Sequence, residues 1–164
     1  MTASEAINWR WATFADLNLA DLYALLALRQ RVFVVEQRCP YLDADGLDAG
    51  AWHLLVKTRH LVGCLRVLPP GARFPEMSVG RVCTAPEARK MGFGREMMRR
   101  TIARFGDRPL TLSGQAYLRR FYEDFGFQVV GEPYEEDAIP HFRMTRAPVK
   151  APPRPTSPRG SGAP

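Results

Sequence analysis

The spacing of apolar side chains changes along the chain between the period of a strand and the period of a helix. Apolar and polar residues alternate over residues 7–14, as they do in a half-buried strand. Further on, the apolar positions follow one another at intervals of three and four residues, which predicts a helix capped by Asp16 or Asn18 and ending near Val34. The chain is therefore expected to begin with a strand followed by a helix.

Further apolar runs are separated by segments rich in Gly, Pro and Asp, which interrupt regular structure. The runs typical of strands lie at residues 52–57, 61–68, 77–84, 110–112, 127–131 and 142–146. Helical spacing returns in a run that ends at Gly106 and in a shorter one, residues 117–125, that ends at Gly126. Residues 39–50 and 69–75 are predicted loops. This order of elements is that of a mixed α/β domain.

The composition changes abruptly after Arg146. Residues 147–164 contain six prolines and no acidic residue, and Val149 is their only larger apolar side chain. Such a segment buries too little apolar surface to offset the entropy that it would lose on ordering. We therefore expect a folded domain over residues 1–146 and a flexible Pro- and Arg-rich tail over residues 147–164.

The net charge at first favours an anionic partner. The chain of 164 residues carries 23 Lys and Arg against 17 Asp and Glu, a net charge of +6. Half of this excess lies in the tail, on Lys150, Arg154 and Arg159, so the domain itself is only weakly basic. We find no RNA-binding or helix-turn-helix signature, and the tail has no aromatic side chain to stack on bases. Nucleic acid is therefore not the expected partner.

The cysteines and the hydropathy indicate the compartment. Cys39, Cys64 and Cys83 are odd in number and lack C-x-x-C spacing, which argues against a disulfide framework and against a zinc site. No run approaches the roughly 18 consecutive apolar residues of a membrane span, and the amino end lacks the basic and apolar segments of a signal peptide. We expect a cytoplasmic protein that binds neither a membrane nor a metal.

The motif that says most about chemistry, residues 89–94, lies between a predicted strand and a predicted helix. Its sequence is Arg-Lys-Met-Gly-Phe-Gly, and the two glycines allow backbone N–H groups to crowd one point. The following helix directs unpaired N–H groups and the positive end of its dipole to the same point. Such a turn can bind a pyrophosphate, although two glycines beside a basic residue also occur in purely structural turns.

A second motif, Tyr122 with Gly126-Phe127, follows about thirty residues later. Together the two motifs resemble those of the GNAT superfamily of acetyl-CoA-dependent N-acetyltransferases. The phosphate loop of that superfamily reads R/Q-x-x-G-x-G/A, and Arg89, Gly92 and Gly94 match it. The chain looks most similar to the ElaA-type branch. That similarity extends through most of residues 1–146 and is carried by residues 28–37, 39–41, 43–46 and 134–141.

The resemblance implies a fold and a co-substrate. The fold would be an α/β (α+β) GNAT fold, with a mixed central sheet of about six to seven strands that splays at the cofactor site and about four flanking helices. The co-substrate would be acetyl-CoA, whose pantetheine arm would pair with the backbone of Val82 and Thr84 on the central strand. The residues expected to hold its pyrophosphate are Arg89, Lys90, Gly92, Phe93 and Gly94. Gln115 stands where the family often has Asn, an amide that reaches the cofactor.

The resemblance also makes Tyr122 the general acid that protonates the departing CoA thiolate. A phenol with a pKa of about 10 can donate a proton to a thiolate with a pKa of about 8 to 9 when the cleft is dry. The alternative interpretation of Tyr122 is a packed aromatic side chain with its hydroxyl at the surface.

An amine attacks in its neutral form, so a base or a chain of water molecules has to accept a proton. The candidate bases are Glu36, His53, His141 and the acidic cluster Glu135-Glu136-Asp137. Each has a structural alternative: Glu36 as a solvated helix end, His53 as a buried histidine of a strand, and the cluster as a hydrated turn. Several carboxylates at a cleft would attract a cationic amine.

The leading hypothesis is an enzyme that moves an acetyl group from acetyl-CoA to a primary amine of a small molecule or peptide, by direct attack in a ternary complex. Two alternatives of other classes are a catalytically silent acyl-CoA-binding regulatory protein and a nucleic-acid-binding protein. A third is an acyl-homoserine-lactone synthase, which residues 29–33 resemble faintly. The oligomeric state is open between a monomer and a homodimer.

Overall fold

The computed structural model describes residues 6–149, which build one mixed sheet flanked by helices. The strands are β1 (Asn8–Thr13), β2 (Trp52–Lys57), β3 (Leu61–Leu68), β4 (Met77–Thr84), β5 (Leu110–Gln115), β6 (Gln128–Val129), β7 (Tyr134–Glu136) and β8 (Ile139–Arg146). Their order in the sheet is β1-β2-β3-β4-β5-β8-β6, and β7 pairs with β8. Neighbouring strands are antiparallel, except that β4 and β5 run parallel.

Three α-helices accompany the sheet in the described part of the chain: α1 (Leu19–Arg29), α2 (Phe93–Phe105) and α3 (Arg119–Glu123). Asn18 caps α1, since its side chain accepts a hydrogen bond of 2.8 Å from the backbone N–H of Asp21. α1 continues as a π-helical segment, Gln30–Glu36. Single 3-10 turns lie at Phe14–Asp16, Asp48–Gly50, Pro86–Ala88 and Ala116–Leu118. None of the helices within residues 6–149 is long and apolar enough to cross a membrane.

The predicted elements are present in the predicted order, with differences where the apolar pattern is weak. β5 reaches Gln115 because the small residues after its apolar run still pair with β8. The apolar pattern does not predict β7. This strand pairs with β8 because a tight turn at Asp137 and Ala138, both with left-handed φ values, reverses the chain. With β7 and the short β6, the sheet formed by residues 6–149 has eight strands, and three α-helices from the same residues flank it.

The side chains of β1 alternate between the two faces of the sheet and contact a different helix on each. On one face the ring of Trp11 lies 5.3 Å from that of Phe105 in α2. On the other face Arg10 donates to Asp21 of α1 at 2.7 Å. The sheet is therefore covered on both sides.

β4 and β5 pair over only two residues and then separate. The paired positions are Met77 with Leu110 and Ser78 with Thr111. Beyond them Arg81 adopts a left-handed φ of +53°, where the register between β3 and β4 shifts. A bulge of this kind bends the strand that carries it. The second half of β4 consequently diverges from β5 and leaves a cleft between the two strands.

A buried ionic network surrounds this bulge. It consists of three arginines and three aspartates: Arg29, Arg66, Arg81, Asp43, Asp45 and Asp48. Arg29 donates to Asp43 at 2.8 Å and to Asp48 at 2.7 Å. Arg81 lies 2.7 Å from Asp43 and 3.2 Å from Asp45. Because removing one partner of a buried ion pair costs about 3–5 kcal/mol, the network holds the loop of the aspartates firmly against β3 and β4.

His53 of β2 lies beside this network and is fully buried. Its Nε2–H donates to the backbone oxygen of Asp48 at 3.0 Å. Burial lowers the pKa of His53, so its ring is neutral in the folded protein. Burial alone would raise the pKa values of Asp45 and Asp48, but the hydrogen bonds and charges of Arg66 and Arg29 outweigh it and lower both.

The boundary between domain and tail stays a prediction. Residues 150–164 of the predicted tail lie outside the described residues. Of the first three tail residues, Val149 donates its backbone N–H to the oxygen of Gly106 at 2.9 Å.

We expect the free energy of unfolding to fall in two steps as the pH is lowered. The first step begins below about pH 6.5, because the unfolded chain then protonates His53 whereas the folded protein keeps it neutral. The second begins below about pH 4, because the unfolded chain then protonates Asp45 and Asp48 whereas their lowered pKa values keep them ionised in the fold. Urea titrations across this range measure both steps.

Variants of the two histidines in the β2–β3 hairpin show which of them causes the first step. His53→Gln removes the first step, and His60→Gln, in the exposed turn, retains it. A free energy of unfolding that does not change between about pH 7.5 and pH 5 contradicts a neutral His53.

Candidate active site

The cleft between β4 and β5 widens into a cavity of about 650 Å³. Along β4 it runs from the β3–β4 loop, at Arg73, to the turn before α2, at Arg89 and Gly94. The π-helical segment, the loop that follows it and the β7–β8 hairpin also line the cavity. One continuous space therefore connects the predicted phosphate turn with the acidic hairpin.

The edge of β4 that faces the cleft has free backbone groups. Ala85 donates its N–H to Val62 of β3 at 2.8 Å, and Cys83 is opposite Cys64 in the same register. In an antiparallel ladder only alternate residues bond to a given neighbour. The N–H and C=O groups of Val82 and Thr84 consequently point away from β3, toward the strand from which β4 has separated. This is the edge predicted to pair with pantetheine.

The turn before α2 has the open geometry of an anion site. Gly92 has a φ of +83° and precedes the first helical residue, Phe93. A Cβ placed on Gly92 would have no neighbour within 4 Å, and one on Gly94 would meet only Phe121, at 3.8 Å. The glycines therefore leave free space above the unpaired N–H groups of the first helical turn.

The other residues predicted to hold the pyrophosphate differ in accessibility. Phe93 is buried and its ring lies 6.0 Å from that of Trp9, so only its backbone faces the turn. Lys90 is exposed, with a left-handed φ of +63°. Arg89 lines the cavity and donates to Glu36 at 2.7 Å across its mouth.

Glu36 lies at this mouth as the partner of Arg89. The hydrogen bond from Arg89 is the main cause that lowers the pKa of Glu36. A carboxylate with a lowered pKa is a weaker base, so the geometry favours an ionic role for Glu36 over proton abstraction.

Tyr122 lies in the wall of the cavity and is nearly fully buried. Burial, and to a smaller extent the nearby Tyr117, raises the pKa of Tyr122, so its hydroxyl stays protonated near neutral pH. We find no hydrogen-bond partner for this hydroxyl within residues 6–149. Gly114 of β5 allows the close approach of the ring, since a Cβ there would lie 3.1 Å from it.

The amide of Gln115 is part of a chain of hydrogen bonds. Its oxygen accepts from the hydroxyl of Tyr117 at 2.6 Å, and its nitrogen donates to Gln37 at 3.0 Å. All three side chains line the cavity. Gln115 thus links the end of β5 to Gln37, the residue that follows the π-helical segment.

His141 of β8 lines the same cavity, and one of its ring nitrogens forms a hydrogen bond within the protein. Its Nδ1 lies 2.7 Å from the backbone oxygen of Ile139. Because a carbonyl oxygen only accepts, Nδ1 carries the hydrogen, and a neutral ring has its lone pair on Nε2. Tyr134 of β7 stacks against the ring, at 6.1 Å between centroids, and fixes its plane. His141 is therefore oriented to accept a proton.

Within the acidic cluster, Glu136 and Asp137 line the cavity, and Glu135 does not. Glu136 accepts from Ser113 at 2.9 Å and from Arg73 at 2.6 Å. Burial alone would raise the pKa of Glu136, but the charge of Arg73 and the hydrogen bond from Ser113 outweigh it and lower that pKa.

The predicted site residues are thus only partly brought together. The cavity is lined by Glu36, Val82, Thr84, Arg89, Gly94, Gln115, Tyr122 and His141. His53 is packed in the core beside the ionic network, and its Nδ1 has no hydrogen-bond partner in the part of the chain described. Burial in the core therefore argues against His53 as the base. Sequence patterns did not identify Arg73, Ser113 or Tyr134 as site residues. Arg73 and Ser113 belong to no motif, and Tyr134 lies in a stretch that indicated only the family.

The donor atoms of the described residues do not form a metal site. Between residues 6 and 149, no group of three or more His, Cys, Asp or Glu side chains could hold a metal ion. Cys39, Cys64 and Cys83 are buried free thiols.

Comparison with known proteins gives a family and close relatives. Residues 45–147 match the model of the acetyltransferase (GNAT) domain. The chain is similar to the protein ElaA of Escherichia coli, with 40% identity over 152 residues, which cover 88% of this chain and 99% of ElaA.

Solved structures agree with the sequence comparison. An acyl-CoA N-acyltransferase from Pseudomonas aeruginosa has a TM-score of 0.81 and 42% identity, over 87% of this chain and 100% of that one. The crystal structure of Escherichia coli ElaA has a TM-score of 0.79 and 38% identity, over 86% and 99% of the two chains. These matches confirm the fold class and the ElaA-type similarity expected from the sequence.

Proposed function

Because this chain belongs to the GNAT family of acetyltransferases, we propose that it transfers an acetyl group from acetyl-CoA to a primary amine of a small molecule or peptide. The amine attacks directly, in a ternary complex. The observation that supports this proposal most is that one cavity is lined by a protonated phenol, Tyr122, and by an imidazole, His141, whose Nε2 has no hydrogen-bond partner among residues 6–149. Acyl transfer from a thioester to an amine uses one group of each kind.

Acetyl-CoA fits the end of the cavity next to α2. The first-turn N–H groups of α2 and the space above Gly92 and Gly94 suit its pyrophosphate. We assign its pantetheine arm to the free backbone edge at Val82 and Thr84. When bound, acetyl-CoA supplies an acetyl group activated as a thioester.

Arg89 has to change its partner in this proposal. In the structure its guanidinium pairs with Glu36, and both side chains are about 40% exposed, at 41% and 40%. An exposed ion pair contributes only about 0–1 kcal/mol, so exchange of Glu36 for a phosphate costs little. Glu36 keeps Arg89 at the mouth until the donor binds.

Tyr122 and His141 divide the proton transfers between them. His141 Nε2 accepts the proton that the attacking ammonium has to lose. The hydroxyl of Tyr122 donates a proton to the departing thiolate, and burial keeps this hydroxyl protonated near neutral pH before the reaction. Proton transfer by a positioned side chain contributes typically about 10²- to 10⁴-fold to the rate.

We also propose that the reaction takes place in the cytoplasm. Cys64 and Cys83 are opposite each other on β3 and β4, with sulfur atoms 3.4 Å apart, and both are free thiols. Free thiols are the usual state of cysteine in a reducing compartment, whereas disulfides form and persist in oxidising ones.

A screen for acetyl-CoA-dependent thiol release tests the proposed function directly. The amines to be screened are polyamines, amino acids, aminoglycosides and lysine peptides. Turnover with any of them supports an N-acetyltransferase. Binding of CoA without turnover of any amine supports the catalytically silent alternative instead.

We expect Gly94→Val to weaken CoA binding by about tenfold to a hundredfold, because its side chain would occupy the space assigned to the pyrophosphate. The fold should survive, since the nearest neighbour of a Cβ at this position is 3.8 Å away. Isothermal titration calorimetry measures the affinity, and Gly50→Val, at an open position outside the cavity, is the matched control. Unchanged affinity in a folded Gly94→Val protein removes the phosphate-turn assignment.

We expect Tyr122→Phe to lower kcat by about 10²- to 10⁴-fold, because it removes the proton donor and keeps the ring. The KM for acetyl-CoA should stay nearly constant. Thiol release under conditions where chemistry limits the rate gives both values, and Tyr23→Phe, an exposed phenol on α1, is the control. Full kcat in Tyr122→Phe means that the proton comes from another group.

We expect His141→Gln to lower kcat by about tenfold to a thousandfold at neutral pH, because glutamine cannot accept the proton of the amine. CoA affinity should not change, since His141 lies beyond the donor end of the cavity. The same thiol-release assay applies, with the exposed His60→Gln as the control. If His141→Gln turns over as fast as the parent protein, the base is another group or water.

A further inference from the structure

Two oppositely charged side chains meet at the end of the cavity farthest from α2. Arg73, in the β3–β4 loop, donates from Nη2 to Oε1 of Glu136 in β7 at 2.6 Å. Both side chains line the cavity and remain partly exposed, at 31% and 34%. They differ in this from the ion pairs around Arg29, which are sealed in the core.

Each side chain of this pair also contacts a second group. Ser113 of β5 donates to the second carboxylate oxygen of Glu136 at 2.9 Å, and Ser113 also bonds to the hydroxyl of Tyr134. The guanidinium of Arg73 lies 5.5 Å above the ring of Phe74. Because each charge is held separately, the direct bond between them can be replaced by a ligand without loss of either group from the cavity.

The pair lies beside the proposed base. Tyr134 and Glu136 are two residues apart in β7 and therefore point to the same face. Tyr134 is opposite His141 in the β7–β8 ladder and stacks on its ring. Glu136 is thus next to His141 on that face, and a cation bound to Glu136 lies close to the imidazole that has to deprotonate it.

The charge balance selects the class of ligand. A simple cationic amine that displaced Arg73 from Glu136 would leave the guanidinium without a partner, and a simple anion would leave Glu136 without one. In the free protein both groups still contact solvent. A bound ligand that covers them removes this solvent, and a covered charge without a partner is costly. A molecule with an ammonium and a carboxylate compensates both. The acidic cluster Glu135-Glu136-Asp137 by itself favours a cationic amine. Because Arg73 already neutralises Glu136, a zwitterion fits this end of the cavity better than a simple cation does.

We propose, on the basis of the function proposed above, that the acceptor is an α-amino acid, whose ammonium binds Glu136 and whose carboxylate binds Arg73. His141 takes one proton from the ammonium and passes it to solvent. The amine nitrogen forms the amide bond to the acetyl carbon while the carbon–sulfur bond breaks. Tyr122 protonates the departing thiolate, and the second proton that leaves the nitrogen returns to the oxygen of Tyr122 through solvent in the cavity. The products are an N-acetyl amino acid, CoA thiol and one released proton.

Matched amines test this proposal. L-phenylalanine, L-lysine, L-arginine, L-histidine and L-tryptophan are each compared with the amine that lacks only the α-carboxylate: phenethylamine, cadaverine, agmatine, histamine and tryptamine. Thiol release from acetyl-CoA gives kcat/KM for each. We expect the carboxylate to raise kcat/KM by about tenfold to a hundredfold, the range of a hydrogen bond to a charged group.

The variant Arg73→Gln separates recognition from structure. It should abolish the preference for the carboxylate, by lowering kcat/KM for the amino acid and not for its decarboxylated partner, with the KM for acetyl-CoA unchanged. The control is Arg99→Gln, which removes a more exposed ion pair on α2 whose side chains do not line the cavity. Glu136→Gln should lower kcat/KM for both members of each pair, because it removes the ammonium site.

Three results overturn the proposal. Wild-type protein that acetylates the decarboxylated amines as well as the amino acids disproves the amino acid and leaves the N-acetyltransferase function standing. A carboxylate preference that persists in Arg73→Gln disproves the role of Arg73. Binding of CoA without turnover of any amine, with or without a carboxylate, disproves the proposed function and this inference with it.

Discussion

The bulge at Arg81 is the constraint on which the cavity depends. Without it β4 would continue to pair with β5 beyond Ser78, and the cleft would close. A non-glycine residue with a left-handed φ costs about 1–3 kcal/mol and persists only where its surroundings enforce it. The ion pairs of Arg81 with the buried Asp43 and the more exposed Asp45 enforce it here, and further arginines hold those aspartates in turn. The ionic network therefore does more than stabilise the core, since it keeps the central strands apart.

The two ends of the resulting cavity are built from different groups. The end that we propose for the donor consists largely of backbone: the free edge at Val82 and Thr84 and the glycine turn before α2. The end that we propose for the acceptor consists of side chains, among them an ion pair and an oriented imidazole. Backbone recognition tolerates sequence change, whereas side-chain recognition changes with each substitution. This difference explains why family membership indicates the donor and leaves the acceptor to be inferred from this structure.

The glycine turn at the proposed donor end can be recognised in the sequence, whereas most of the groups at the opposite end cannot. Residues 89–94 are contiguous, so their glycine spacing is visible without a structure. The acceptor end brings together Arg73, Ser113 and Glu136 from three separate segments, and no local pattern relates them. His53 and His141 both lie in apolar strands, and only the structure distinguishes the ring sealed in the core from the ring that lines the cavity. Long-range contacts, rather than propensity, decide these positions.

Amide hydrogen exchange at β4, with and without CoA, tests the central claim that the donor occupies the cleft opened by the bulge. The amides of Val82 and Thr84 point toward the cleft, whereas Cys83 between them bonds to β3. The account predicts that CoA slows exchange at Val82 and Thr84 strongly and changes exchange at Cys83 little. Binding of CoA with no added protection at Val82 and Thr84 would contradict it.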